Sequence, residues 1–251
     1  MKKVSLLLTL FAFIGVVSAQ NPHQVNSFFE PNGMVRLETQ ELALASDSLV
    51  TIQHRAEDVV WRRDIYREIN LNDEANSGLY YPVEPIDRKM NLFTYVFKLA
   101  LNGYIPIYEY RLDGNESFSD SSKVAIKTML DNYHIIYETR EGKLHVDNSD
   151  IPSAEVKMYY LKESAYYDQS NAQFRRKVMA LCPVMVRDDD FGGEAAKYPL
   201  FWVKYTDLEP YLSRQSVQAS DLNNAATMTL EDYFTLNHYQ GKIYKAGNRM
   251  A

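Results

Sequence analysis

The fold is decided by the stretch VVWRRDIYREINL at Val59–Leu71, followed by GLYYPVEP at Gly78–Pro85, NLFTYVFKLALNG at Asn91–Gly103 and YIPIYEY at Tyr104–Tyr110. This block is dense in tyrosine, arginine and β-branched residues. It contains no glycine-rich loop, no histidine pair and no nucleophile elbow. Its composition is typical of a surface that packs and contacts partners, and unlike that of a catalytic cleft.

The most regular part of the block predicts a buried helix over Asn91–Asn102. Its apolar residues recur at helical spacing, Asn91 can cap the first turn and Gly103 can end the last one. Because apolar residues cover nearly the whole circumference, we expect this helix to be central. The predicted core residues are Leu92, Phe93, Val96, Phe97 and Leu101.

A second helix is predicted upstream, from about Asp47 or Glu57 to Ile69, with Trp61, Ile65 and Ile69 on one side. Like charges stand four residues apart along it, which is unfavourable on an isolated solvated helix. Some of its arginines are therefore expected to meet carboxylates elsewhere in the fold.

The other elements mix strands and helices without a βαβ rhythm, which predicts an α+β fold with a mainly antiparallel sheet and packed helices. Predicted strands are Leu79–Val83, Tyr104–Tyr110, Val156–Tyr160, Lys177–Val186 and Leu200–Tyr205, with a hairpin of Tyr133–Thr139 and Lys143–Val146. Predicted helices run from Asp120 or Ser121 to Leu130, from a capping box at Thr206, and over Thr229–Gln240; Arg214–Met228 reads as a polar linker.

The N-terminus predicts export. Lys2 and Lys3 precede an apolar run from Val4 to Val17, and Ala19 offers a cleavage site before Gln20. This is the pattern of a signal peptide over 1–19, and no cysteine follows it to carry a lipid. The expected organisation is an extended N-terminal arm over 20–56, a core domain over 57–212, and a linker with a C-terminal helix over 213–251.

The charge and the cysteine content of the chain exclude several classes of function. The chain has 27 Lys and Arg against 33 Asp and Glu, so cleavage after Ala19 removes Lys2 and Lys3 and leaves 25 basic residues and a net charge of −8. Such a chain repels nucleic acid and anionic lipid, and no later stretch is long enough to insert into a membrane. Cys182 is the single cysteine, so no intramolecular disulfide is possible, and its apolar surroundings predict a core residue.

No residue set predicts catalysis, a cofactor or an essential metal. The five histidines are scattered, without zinc-ligand spacing. The acidic run Asp188, Asp189 and Asp190 is the best candidate for Ca²⁺, although it lacks the alternation of an EF-hand and a solvated turn is the simpler reading. Asp47-Ser48-Leu49 resembles a short O-glycosylation signal of exported bacterial proteins, which makes Ser48 a candidate for O-glycosylation.

The chain resembles the GldN/PorN family of the Bacteroidota gliding-motility and type IX secretion apparatus. Val60–Arg67, Leu79–Pro82 and Asn91–Phe93 carry most of the resemblance, and Asp188–Gly193 and Leu200–Val203 carry the rest. The resemblance implies a non-enzymatic periplasmic protein without cofactors. It also implies that copies form a ring under the outer membrane with a lipoprotein of the same system, of the GldK/PorK type, and that this ring serves secretion and, in gliding species, motility.

Within that reading, the predicted interface residues are basic and aromatic: Trp61, Arg62, Arg63, Tyr66 and Arg67. They would meet an acidic surface such as the Asp188–Asp190 turn. The alternative is that Trp61 is core and the arginines make intramolecular pairs. A different functional class also stays open, a periplasmic hydrolase or a carbohydrate-binding module with Trp202 or tyrosines stacking on sugar.

Overall fold

The structure is a computed structural model that describes residues 59–86, 89–169, 172–187, 195–218, 227–247 and 249–250. The predicted signal peptide, the arm, Ser48 and the Asp188–Asp190 turn lie outside the described residues.

Thirteen strands, five α-helices and three 3₁₀ turns make up the described chain. The strands are β1 Val59–Asn70, β2 Ile107–Tyr108, β3 Lys123–Val124, β4 Glu138–Arg140, β5 Lys143–His145, β6 Val156–Asp168, β7 Gln173–Arg187, β8 Ala196–Pro199, β9 Val203–Lys204, β10 Ser216–Gln218, β11 Thr227–Thr229, β12 Lys242–Ala246 and β13 Arg249–Met250. The α-helices are α1 Ser77–Tyr80, α2 Leu92–Leu101, α3 Ile126–Asn132, α4 Tyr205–Leu212 and α5 Leu230–Thr235, and the 3₁₀ turns are Glu74–Asn76, Asp120–Ser122 and Asn148–Asp150.

One antiparallel sheet organises the chain. Its strand order is β13-β12-β1-β6-β7-β8, and β9 pairs with β7 beside β8. The long strands β1, β6 and β7 form its centre. Three two-stranded ladders, β2–β3, β4–β5 and β10–β11, are separate from it, although Tyr108 of β2 forms a bridge with Trp202 next to β9. The predicted α+β class and antiparallel sheet are confirmed, as is the hairpin around Glu141 and Gly142.

The helix predicted to end at Ile69 is wrong, because Val59–Asn70 is the strand β1. Valine, isoleucine and aromatic residues favour a strand, and β1 gains hydrogen-bonded neighbours on both sides, β6 and β12. On an extended strand, residues four apart share a face but lie about 13 Å from each other, so the like charges that were unfavourable on a helix are no longer close. Arg67 meets Glu163 across the β1–β6 pair, which confirms that an arginine of this stretch finds a distant carboxylate.

Helix α2 is the centre of the main core, as predicted. The Asn91 side chain caps it by accepting a 2.7 Å hydrogen bond from the Thr94 backbone N–H, and Gly103 follows its end with φ +74°. Four of the five predicted core residues are fully buried, while Leu101 is only partly buried. The core spreads from this helix to the face of the sheet that carries Ile69, Tyr159 and Leu181.

Other element boundaries differ from the predictions. Leu79–Val83 is not a strand, because α1 occupies its first two residues, and the helix expected to run to Leu130 divides into a 3₁₀ turn, β3 and α3. The strand expected over Leu200–Tyr205 shrinks to β9, and α4 begins at Tyr205 without a side-chain cap, so the capping box at Thr206 is wrong.

The C-terminal region also departs from its prediction. The stretch expected to be a polar linker contains β10 and β11, and the helix expected over Thr229–Gln240 is the short α5. Thr229 does cap it by accepting a 3.0 Å hydrogen bond from the Asp232 N–H. The chain then continues into β12, which pairs with β1, so the last element to pack on the core is a strand pair.

A second, smaller cluster covers the opposite face of the sheet. Its buried members are Tyr66, Tyr108, Ala180, Cys182 and Trp202, with Tyr110, Phe118, Tyr160 and Tyr244 packed against them. Cys182 is fully buried, as predicted, and burial raises the pKa of its thiol. Trp202 is likewise inside, where Tyr110 stacks on it, so it is not available to stack on a sugar.

Candidate interaction surface

The five predicted interface residues do not share one surface, because they lie on a strand. Side chains alternate between the faces of a sheet, so Trp61, Arg63 and Arg67 project from one face and Arg62 and Tyr66 from the other. The five residues also differ in how exposed their side chains are. Trp61, Arg62 and Arg63, at the outer end of β1, are exposed, whereas Tyr66 is buried and Arg67 is mostly covered.

Tyr66 belongs to the second cluster. Its hydroxyl donates a 2.6 Å hydrogen bond to Glu116, and the ammonium of Lys245 lies 4.2 Å from the centre of its ring. Burial, followed by the hydrogen bond to Glu116, raises the pKa of Tyr66. These contacts hold the loop of Glu116 against the sheet, so the tyrosine has a structural role.

Arg67 is held by a fully buried carboxylate on the neighbouring strand. Its guanidinium donates to Glu163 at 3.2 Å from both Nε and Nη2, and to the carbonyl oxygen of Gly241 at 2.8 Å. Tyr239 donates a further 2.6 Å hydrogen bond to the same carboxylate. For Arg67 the structure therefore has the intramolecular pair, and the free surface of this strand is left to Trp61, Arg62 and Arg63.

Trp61 contributes to an aromatic patch that it forms with Tyr167 and Phe174. The rings of Trp61 and Phe174 meet edge to face with centroids 6.0 Å apart, and Tyr167 lies 5.0 Å from Phe174. Trp61 is 44% exposed and Phe174 76% exposed. Sequence reasoning missed Tyr167 and Phe174. The sequence could have placed these two residues opposite each other only if the position of the turn between β6 and β7 had been known.

Next to the aromatic patch, a groove of about 930 Å³ runs between the first half of β7 and the helices α4 and α5. Phe174 and Leu236 give it apolar walls, Arg176 gives it positive charge, and Glu209 and Glu231 give it negative charge. Leu236 is 63% exposed. An open groove with exposed apolar residues and charges of both signs is the usual chemistry of a protein-binding surface.

Arg176 is fixed in place within this groove. Its Nε donates a 2.9 Å hydrogen bond to the side-chain oxygen of Asn237, and its guanidinium lies 5.2 Å from the centre of the Tyr239 ring. The groove wall formed by the end of α5 is thereby tied to β7.

The carboxyl of Glu231 has a raised pKa, caused first by its burial and then by the nearby charges of Glu209 and Asp232. The folded state holds this proton to higher pH than the unfolded state does. The carboxyl of Glu231 therefore lowers the stability of the fold as pH rises above its pKa in the unfolded chain. We expect Glu231→Gln to raise the melting temperature at pH 7 and to leave it unchanged at pH 3, where both states are protonated. Glu109→Gln, at an exposed position, is the control, and an equal gain at both pH values would contradict the expectation.

Within residues 59–250, apart from the gaps given above, no three His, Cys, Asp or Glu side chains cluster closely enough to hold a metal ion. None of the helices described is long and apolar enough to cross a membrane.

Comparison with known proteins assigns the chain to a family. Residues 54–250 match the family described as Gliding motility associated protein GldN. The match reaches further toward the C-terminus than the resemblance in the sequence indicates, and so includes the β12–β13 pair. No curated protein matches the chain. Since the matched region covers most of the sequence, the chain belongs to the GldN family, a family associated with gliding motility and type IX secretion.

Proposed function

We propose that this chain is a structural subunit of a periplasmic ring that serves type IX secretion and, in gliding species, motility. Copies of the chain would contact one another and an outer-membrane lipoprotein of the GldK/PorK type. The family membership is the observation that carries this proposal. The predicted signal peptide supports a periplasmic location, and the lipoprotein would supply the attachment to the outer membrane.

The aromatic patch and its basic neighbours support a role in assembly. Tryptophan, tyrosine and arginine side chains supply much of the binding energy in protein interfaces, and phenylalanine is also enriched there. Trp61 and Arg63 project from one face at the outer end of β1, where Phe174 adds a large apolar surface beside Trp61, and Arg62 is exposed on the other face. A chain with a net charge of −8 after cleavage carries enough acidic surface for these arginines to meet on a neighbour.

Reversing the charge of Arg62 and Arg63 tests this function. We expect Arg62→Glu with Arg63→Glu to abolish ring assembly and cargo secretion while the melting temperature stays that of the wild type, because both side chains are exposed. Assembly is measured by co-purification of the lipoprotein from the envelope in mild detergent, and secretion by cargo in the medium.

The matched control reverses two exposed charges on the β4–β5 hairpin, Arg140→Glu with Lys143→Glu, which changes the net charge equally. This control should assemble normally. If the Arg62 and Arg63 variant assembles as well as the control, the ring contact lies elsewhere. If its domain unfolds, the arginines are structural.

One observation favours the alternative of a hydrolase or carbohydrate-binding module. Glu209 and Glu231 line the same groove as Phe174, and a carboxyl with a raised pKa beside another carboxylate can act as a general acid. Incubating the purified chain with peptidoglycan tests it. Release of soluble sugars by the wild type and not by Glu231→Gln would replace the structural proposal.

A further inference from the structure

The groove beside β7 holds charges of both signs that are not paired with each other. Arg176 lies on the β7 side of the groove, and Glu209 and Glu231 lie on its helical side. Among the residues that the structure describes, none of these three side chains forms an ion pair. Opposite charges that face one groove without meeting are both available to a ligand that carries a group of each sign.

Arg176 is the arginine of the groove that is left unpaired. Arg67 meets Glu163 at 3.2 Å and Arg175 lies 3.5 Å from Asp168, and both of these carboxylates are fully buried. The positive charges of Arg67 and Arg175 are therefore neutralised inside the chain. The edge of β7 is not uniformly basic, and Arg176 is the lining arginine whose charge remains available to a ligand.

Arg176 is also held in one orientation. Its Nε and Nη2 donate to the side-chain and main-chain oxygens of Asn237 at 2.9 and 3.4 Å, and its guanidinium lies 5.2 Å from the centre of the Tyr239 ring. Within the described chain, its Nη1 has no hydrogen-bond partner. A guanidinium that is already fixed loses little freedom when it binds an anion, which favours affinity.

The apolar surface of the groove lies beside Arg176 toward the start of β7. Phe174, Arg176 and Val178 alternate along the strand, so their side chains project from the same face at intervals of about 6.6 Å. Phe174 is exposed, and so is Leu236, which adjoins the Asn237 that bonds to Arg176. An apolar side chain of a ligand can therefore be covered next to the cation.

The carboxylates lie on the other side of Arg176, further along β7. Burial raises the pKa of Tyr205, and the charges of Glu209 and Glu231 also raise it, so both carboxylates are near this residue. Tyr205 directly follows Lys204, which pairs with Ala180 of β7. In the direction of β7, the groove thus offers apolar surface, then a cation, then two carboxylates.

The backbone of β7 favours a peptide over a sugar chain as the ligand. On its outer side β8 pairs with Val184–Arg187 and β9 with Ala180 and Leu181, and within the described ranges no strand pairs with Gln173–Met179. An extended peptide can pair its backbone with such an edge, and its alternate side chains then repeat at the same interval as those of β7. A sugar chain has no comparable row of amide groups.

We propose that this groove binds an extended peptide segment of another protein, with an aromatic, an acidic and a basic side chain at alternate positions. The aromatic side chain packs on Phe174 and Leu236, and the acidic side chain meets Arg176. The basic side chain lies beside Glu209 and Glu231. This site goes beyond the proposed ring contact: it shares only Phe174 with that contact and does not rest on ring assembly.

Labelled synthetic peptides test the proposal with the purified full chain. The peptide Phe-Thr-Asp-Thr-Lys and its neutral counterpart Phe-Thr-Asn-Thr-Gln are each made in both chain directions, and binding is measured by fluorescence anisotropy. We expect the charged peptide, in one direction, to bind about tenfold or more tightly than the neutral one, because hydrogen bonds to charged groups are the stronger ones. Equal affinities for all four peptides would overturn the proposal.

A charge exchange at Arg176 identifies the site. We expect Arg176→Glu to bind the charged peptide about tenfold more weakly than the wild type, and to bind Phe-Thr-Lys-Thr-Lys more tightly than the wild type does. The control is Lys143→Glu on the exposed β4–β5 hairpin, which makes the same change of charge and should bind both peptides as the wild type does. If Arg176→Glu weakens both peptides equally, Arg176 only shapes the groove and the proposal is wrong.

Ala165→Leu tests the groove without changing a charge. Ala165 pairs with Arg176 across β6 and β7 and lines the groove, so a larger side chain there occupies the space of the ligand. We expect the charged peptide to bind about tenfold more weakly, with an unchanged melting temperature because Ala165 is only half-buried. Unchanged binding in a folded Ala165→Leu chain would place the peptide elsewhere.

Muropeptides, the soluble fragments of peptidoglycan, separate a peptide ligand from a carbohydrate ligand in the same assay. We expect them not to displace the labelled charged peptide. If muropeptides bind in a way that Arg176→Glu abolishes, and the synthetic peptides do not bind, the groove belongs to the carbohydrate-binding alternative and the proposal falls.

Discussion

Phe97→Ala is expected to lower the free energy of unfolding by about 3–5 kcal/mol, because it leaves a cavity at the centre of the main core. Phe97 is fully buried on α2, and its ring packs against Phe93 with centroids 5.6 Å apart. The helix is surrounded on nearly every side, so the neighbouring side chains have little freedom to close the gap. A loss of this size is a large part of the stability of an ordinary domain, which is about 5–15 kcal/mol.

The measurement is urea denaturation followed by tyrosine and tryptophan fluorescence, with the wild type and Phe174→Ala run beside it. Phe174→Ala makes the same chemical change on a side chain that is 76% exposed, so it should alter stability by only about 0.5 kcal/mol. If the two variants were equally stable, the core would not be centred on α2.

Helix α2 was predictable because everything that defines it lies within Asn91–Gly103. The cap, the helical spacing and the terminating glycine are all local, and the nearly continuous apolar surface indicates burial on most sides. The same reasoning failed for β1. Trp61, Ile65 and Ile69 are four residues apart, which places them on one side of a helix. The same spacing also places them on one face of a strand, because alternate residues of a strand share a face.

What decides between these readings for β1 is distant in sequence. β1 pairs with β6 about 100 residues later and with β12 at the other end of the chain. β12 itself is only Lys242–Ala246, too short to be recognised without its partner. Short strands whose neighbours are far away carry little local signal, and this is also why β10 and β11 were hidden in an apparent linker.

The candidate surface was predictable only where its residues are neighbours in sequence. Trp61, Arg62 and Arg63 stood out because they are adjacent in sequence and chemically unusual, and the structure leaves them exposed. Tyr66 and Arg67 could be told apart from these exposed residues only once the stretch was known to be a strand. The strand directs Tyr66 into the second cluster and Arg67 toward Glu163. Phe174 joins Trp61 only through the pairing of three strands.

Glu163→Ala is expected to cost about 3–5 kcal/mol, because it leaves Arg67 as an unpaired charge in a site that excludes most water. The Glu163 side chain is fully buried and that of Arg67 is 12% exposed. The change also leaves the Tyr239 hydroxyl without the carboxylate that accepts its hydrogen bond. Denaturant melts of the single variant measure the cost directly.

A double replacement separates two free energies: the cost of leaving Arg67 as an unpaired charge, and the net contribution of the Arg67–Glu163 pair to stability. Glu163→Leu combined with Arg67→Met removes both charges and fills a similar volume, and such replacements of buried pairs are often neutral. We therefore expect it to recover most of the stability that Glu163→Ala loses. If the double variant is as unstable as the single one, the ion pair itself holds β1 to β6. If Glu163→Ala costs less than about 1 kcal/mol, water reaches Arg67, and the guanidinium belongs to the exposed surface with Trp61 and Arg63.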